Sequence, residues 1–372
     1  MDEHKLKWVY ICLTNLLGKA ILYLVIALWK LEKPIVRKAP SGAFRYLYKE
    51  NCKMMRGGEN LGKKQFLTYD EQITFLEEKK GLIIHDKEYA KRILLKIGYF
   101  PLINGYKEIF KESRSKRFQK GTTFEDIYEL YSFDNDLRNI FLKYILIAER
   151  NIKSSLAYHF CKEYGDLQSD YLNIKNYDYT GKKKNIINKM IKIMSGQLRY
   201  DSDYTYIRHY MNKYQYVPLW ALMNILTIGQ LSKIYASQKG RIQIRICQDF
   251  GPLKVNEFGK MLTVMTKFRN VCAHNDRLFN FRTKNALLDR NIYDRLQIPK
   301  EKGRYKYGKN DLYAQVIILK LLLADDDFSL FYHDLKVCFK NYPIHKKILE
   351  KMGFPENWEQ IVEIEKYTKS EI

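Results

Sequence analysis

The chain has 372 residues, with 65 Lys and Arg against 42 Asp and Glu, a formal charge of +23, and 46% hydrophobic residues. That length allows one large core or two modest ones, and the composition excludes a disordered or fibrous chain. The charge favours nucleic acid or an anionic membrane over an acidic protein as partner, although a coding bias toward Lys, Asn, Ile and Tyr accounts for part of it. The six cysteines form no CxxC pair, as expected of reduced cytosolic thiols. The seven histidines show no HxxxH or HExxH spacing, so no zinc site and no cofactor are expected.

In chain order, residues 1–60 stand apart as an apolar and basic extension. Val9–Trp29 is long enough to span a bilayer, but Lys19 near its middle costs about 2.5–3.5 kcal/mol, which its aliphatic residues barely offset. Three readings stay open: a mis-set start with Met54 or Met55 as the true one, a membrane or interfacial helix through residues 9–29, and a soluble helix. The first and third leave a cytoplasmic protein. A helical core is expected over residues 61–290, and residues 291–372 as C-terminal helices packed on it.

The core reads as helices throughout. FLTYDEQITFLEEKKG spaces Phe66, Ile73 and Leu76 helically, with Thr68 as N-cap and Gly81 at the C-terminus. EYAKRILLKIGYF follows and ends at Gly98 and Pro101. The long segment from Thr122 to Gly165 carries a broad apolar stripe, read as two linked helices started by Thr122 or Thr123. Within it Glu149 and Asp136 are read as surface partners of Arg138 or Arg150. Residues 164–215 are polar and weakly periodic, apart from a basic amphipathic helix in GKKKNIINKMIKIM. VPLWALMNILTIGQLSKIYAS reads as a central helix broken near Gly229, and a further helix runs from about Lys254 to Asn275. After a basic loop, DLYAQVIILKLLLADDD is a buried helix, and FSLFYHDLKVCFKNY and NWEQIVEIEKY close the chain.

Chemistry concentrates in KFRNVCAHNDRLFN. Asn270 and His274 are four residues apart, about 40° apart on one helix face, and Arg269 lies about 7.5 Å along the axis from His274. These types suit RNA cleavage without a metal. A histidine can move protons to and from a ribose 2′-hydroxyl and the leaving oxygen. A guanidinium can hold the phosphate and offset charge developing in the transition state. Asn270 can orient the imidazole or bind a phosphate oxygen. Arg277 and Lys267 add phosphate-directed charge. Arg114, Lys116 and Arg117, and Lys182, Lys183 and Lys184, read either as solvated faces or as RNA-backbone contacts. An Arg, an Asn and a His also fall within one helical turn in chains that catalyse nothing, so spacing alone does not decide the matter.

FRNVCAHNDRLFN resembles the signature of the abortive-infection (Abi, AbiD/AbiF-type) proteins of bacteria, which carry an Arg-Asn-(three residues)-His version of the HEPN ribonuclease motif. FLTYDEQITFLEEKKGLIIHDKEYAKRILLKIGYF, FQKGTTFEDIYELYSFDNDLRNIF and VPLWALMNILTIGQLSKIY resemble the family's other landmarks in the same order. The likeness covers roughly residues 65–285. It implies an all-α HEPN-like bundle with additional helices, RNA binding, and a role in phage defence or as a toxin. Arg269 and His274 would then be catalytic, with Asn270 supporting them. In AbiF-type systems a small structured RNA restrains the protein, so a non-catalytic, RNA-regulated binder is the alternative. HEPN nucleases, like the related type VI CRISPR effectors, build their site from two facing motifs. The only other trace here is Lys153 and His159 in ERNIKSSLAYH, read as helix packing with a capping histidine. One motif per chain implies a homodimer that pairs two copies of His274.

Overall fold

The computed structural model describes residues 66–112, 115–342 and 346–367. Val9–Trp29 lies outside them, and among the described residues no helix is long and apolar enough to cross a membrane. From Leu67 onward the chain forms one compact all-α unit. Its strands, among the described residues, are Lys300–Glu301 and Arg304–Tyr305, a small antiparallel hairpin inside the basic loop.

Local chemistry starts the first helices where the sequence says. Helix α1 (Tyr69–Thr74) opens on a capping box between Thr68 and Glu71 and runs on as a π turn, Phe75–Lys79. Helix α2 (Lys87–Ile97) is capped by Asp86 and closed at Gly98. Helix α3 (Phe124–Tyr164) opens on a second box, Thr123 with Asp126, and ends at Gly165, whose φ of +99° suits glycine. The expected pair of linked helices is therefore one helix of 41 residues. Asp134, Asn135 and Asp136 form a helix-poor run that suggests a break. The Asp134 side chain, however, bonds to backbone far along the chain rather than to its own, and no Gly or Pro interrupts the segment.

Helix α3 is the spine. Helix α4 (Lys183–Gly196) is the expected basic amphipathic helix, burying Ile187, Met190 and Met194. Helix α5 (Thr205–Tyr214) buries only Ile207 and Met211, which is why its segment reads as weakly periodic. The break in the next segment falls at Leu226–Thr227, not at Gly229. A turn, Leu219–Leu222, and a 3-10 turn, Met223–Ile225, precede it, and Thr227 with Gln230 caps helix α6 (Ile228–Ala236). Gly229 sits inside that new helix, so the capping box decides the boundary. Helix α7 (Gly240–Asp249) is not evident from the sequence, because Arg and Gln alternate with Ile in RIQIRIC. Its buried residues, Ile242, Gln243, Ile246 and Cys247, nevertheless keep helical spacing.

Helix α8 (Val255–Ala273) carries the Arg-Asn-His motif. Helix α9 (Leu312–Leu322) is buried at every position, the mark of a central helix. Helix α10 (Asp325–Asn341) and a 3-10 turn, Trp358–Val362, complete the unit. Helices α7, α8 and α10 pack along α3, α6 packs on α8, and α9 packs on α8 and α3. This packing holds the motif helix on three sides and leaves its C-terminal end to solvent.

Candidate active site

Helix α8 ends in a Schellman arrangement built from the motif itself. His274 is the C-cap (φ −98°, ψ 9°) and Asn275 is left-handed (φ +54°). The Asp276 amide donates to the Val271 carbonyl at 3.0 Å, and the Asn275 amide to that of Cys272 at 3.4 Å. Asparagine is one of the few residues apart from glycine that takes this conformation readily. His274 is thereby turned out at the end of the helix and exposed, as are Asn270 and Lys267. Helix periodicity puts Lys267, Asn270 and His274 within about 40° of one line along that face.

The loop after His274 is anchored in the interior. Asp134 is fully buried and accepts from the Leu278 amide at 2.9 Å, the Phe279 amide at 2.6 Å and the Tyr106 hydroxyl at 2.7 Å. Arg138, also buried, donates to Asp134 at 2.8 Å and to the Asp276 carbonyl at 3.4 Å. Burial pushes the Asp134 carboxyl upward and the Arg138 guanidinium pulls it back. Donors occupy both oxygens, so the carboxylate is the form this geometry holds. Phe279 stacks on Tyr106 with ring centroids 5.9 Å apart. Arg277, expected to face phosphate, donates to the Gly105 carbonyl and so ties the same loop to the region after α2.

Arg269 faces differently from His274. It lies about 140° round the helix, toward α3, where its Nε is 4.0 Å from Glu149 Oε2. Both atoms are buried and have no hydrogen-bond partner. The other Glu149 oxygen takes Lys153 at 2.8 Å, and Lys153 also reaches the Asn224 carbonyl at 3.5 Å. Glu149 therefore braces two cations under the motif helix and is no surface partner of Arg138 or Arg150. Asp136 accepts instead from the Tyr342 hydroxyl at 2.7 Å.

Lys153 and His159 do not form a second copy of the motif. His159 lies inside α3, short of its end at Tyr164, so it is not a cap. Its Nε2 is 2.9 Å from Asp249, which also accepts from Ser155 at 2.6 Å. Within the motif, burial pushes the Cys272 thiol up to about 12, so it is no thiolate nucleophile at neutral pH. Among the described residues no group of three or more His, Cys, Asp or Glu is placed to hold a metal ion.

The outlying basic residues scatter. Arg114 lies outside the described residues. Lys116 is exposed, and the Arg117 guanidinium lies against Gly81, where a Cβ would come within 2.9 Å. Lys182 and Lys184 are exposed, Lys184 with its amine 5.7 Å from the Tyr179 ring centre, and Lys183 pairs with Asp178 at 2.5 Å.

The family model described as Abi-like protein matches residues 92–280. The chain belongs to this Abi-like family. No curated protein and no solved structure matches it. The Abi-like match runs from within α2 to just past Phe279, and so takes in both Asp134 and Glu149 as well as Arg269, Asn270 and His274. The buried contacts of Asp134, Glu149 and Tyr106 beneath the motif are not read from the sequence. The signals were the Asp134–Arg138 spacing of four on an apolar stripe, and Glu149 and Lys153 at the same spacing.

Proposed function

We propose that this Abi-like chain is a metal-independent endoribonuclease of the HEPN type, serving phage defence by abortive infection or acting as a toxin. The observation that carries the proposal is His274 exposed at the anchored end of α8, with Asn270 and Lys267 on its face and Arg269 about 7.5 Å back along the axis, turned toward Glu149. In the reaction, the neutral imidazole of His274 takes the proton of a ribose 2′-hydroxyl, whose oxygen attacks the adjacent phosphorus. The 5′-oxygen leaves with a proton, giving a cyclic phosphate end and a 5′-hydroxyl end. Arg269 swings from Glu149 to the phosphate and offsets its growing charge. With one motif per chain, the acid that protonates the leaving oxygen is His274 of a second copy, which makes the active species a homodimer.

The test is cleavage of unstructured RNA by the purified full chain in EDTA. His274→Ala and Arg269→Ala should each abolish cleavage while leaving the circular dichroism spectrum unchanged. Undiminished cleavage by His274→Ala would remove the proposal. The approach of Arg269 to Glu149 favours one alternative, a binder held by a small RNA and using the motif for phosphate contact. In that case both substitutions weaken RNA binding and its salt dependence, and the wild type cuts nothing.

A further inference from the structure

The charge of this chain is not spread evenly. Residues 179–248 hold twelve Lys and Arg against two acids, Asp201 and Asp203, and so supply +10 of the total +23. Part of that excess is neutralised: Arg241 and Arg245 both meet Glu163, and Arg199 pairs with Asp201. Helix α5, like α4, supplies no carboxylate of its own: TYIRHYMNKY contains none. Among the described residues Arg208 donates to the Ser202 carbonyl at 3.1 Å, and the Lys213 amine stands 5.2 Å from the Tyr214 ring centre. A shallow groove of about 400 Å³ runs along this helix, lined by Thr205, Arg208, His209, Asn212 and Lys213.

Aromatic faces flank the groove. Tyr204, Tyr206, Tyr214 and Trp220 leave between 37% and 49% of their surface exposed. Tyr204 and Tyr206 form one ring pair at 6.0 Å, and Tyr214 stands 6.0 Å from His209 and 5.7 Å from Tyr210. Packing connects the helix to the neighbourhood of Arg269. Helix α5 packs against the turn Leu219–Leu222, that turn packs on α3, and Asn224 just beyond it receives Lys153, the neighbour of Glu149 and hence of Arg269.

We propose that the outward face of α5, continued by Trp220, is a track on which single-stranded RNA lies on its way to His274. This rests on the ribonuclease reading above. Cations without carboxylate partners attract the backbone, and exposed rings offer stacking faces that only unpaired bases can use. An anionic membrane fits less well. Interfacial helices bury a continuous apolar face, whereas the aliphatic residues of α5, Ile207 and Met211, point inward, its outer face is Tyr, His, Arg, Asn and Lys, and Trp220 adds a single indole beside it.

The experiment measures binding of a fluorescent oligouridine by the full chain across a potassium chloride series. Tyr204→Ala, Tyr206→Ala and Tyr214→Ala combined should weaken binding at least about fivefold, and the corresponding Phe variant should bind as the wild type does. Arg208→Ala with Lys213→Ala should reduce the slope of log affinity against log salt by about 1.4, roughly 0.7 for each lost contact. RNA binding that ignores both sets of substitutions overturns the track and leaves the ribonuclease reading standing. A wild type that binds phosphatidylserine vesicles but neither binds nor cuts RNA overturns both.

Discussion

Asp134→Ala tests the idea that a buried carboxylate holds the motif's end in place. The substitution strands the buried Arg138 guanidinium, whose partner at 2.8 Å disappears. Removing one partner of a buried pair costs about 3–5 kcal/mol. It also orphans the Leu278 and Phe279 amides, at roughly 1–3 kcal/mol each. The sum is at least about 5 kcal/mol, a large part of the 5–15 kcal/mol typical of a whole domain. Replacing both members by leucine removes the stranded charge and leaves the two amides and the buried Tyr106 hydroxyl without partners, so the double variant should recover about 3 kcal/mol over the single one. Urea unfolding followed by tryptophan fluorescence reads both numbers. Hydrogen exchange should show the Leu278 and Phe279 amides losing protection, and the folded double variant should lose cleavage because His274 is no longer held. A cost below about 1 kcal/mol for Asp134→Ala, or a double variant no more stable than the single one, refutes the reasoning.

Glu149→Gln releases Arg269 and Lys153 from a negative brace, so RNA affinity should rise slightly while cleavage falls about tenfold as Arg269 loses its orientation; RNA anisotropy and cleavage rates measured together check it. Burial pushes the Asp311 carboxyl up to about 6 against the pull of Arg282. The folded chain thus holds that proton more tightly than the unfolded one, whose carboxyl titrates near 3.9. Its contribution is full below about pH 4 and is lost as the pH rises through about 6; Asp311→Asn should flatten that fall in urea midpoints.

Local features were legible in the sequence wherever a single segment settles its own structure. Thr68 with Glu71, and Thr123 with Asp126, start helices through bonds spanning three residues. The motif helix was placed within a residue or two of its true ends, because Lys254 and Asn275 bracket a clean helical stripe. The Arg-Asn-His triplet and the family likeness were visible there too. Where the reading slipped, a distant contact had overruled a local signal. Asp134 looks like a break in α3 until its carboxylate meets amides on the far side of the motif, and the α7 alternation looks patternless until the helix packs on α3 with Ile242 and Ile246 buried and Ile244 left outside.

The sequence by itself determined an all-α chain, its caps, its basic excess and the residues of the candidate site, since all of these follow from composition and from spacings of three or four residues. Only the tertiary structure decided which face each residue serves. It turned His274 and Asn270 to solvent, set Arg269 against Glu149, and took Arg277 to a backbone carbonyl. It also made Lys153 and His159 parts of two separate networks rather than a second motif. Burial is the physical reason. A charged side chain inside a protein must find a partner at fixed distance, and that partner is chosen by packing between helices far apart in the chain, which no local spacing encodes.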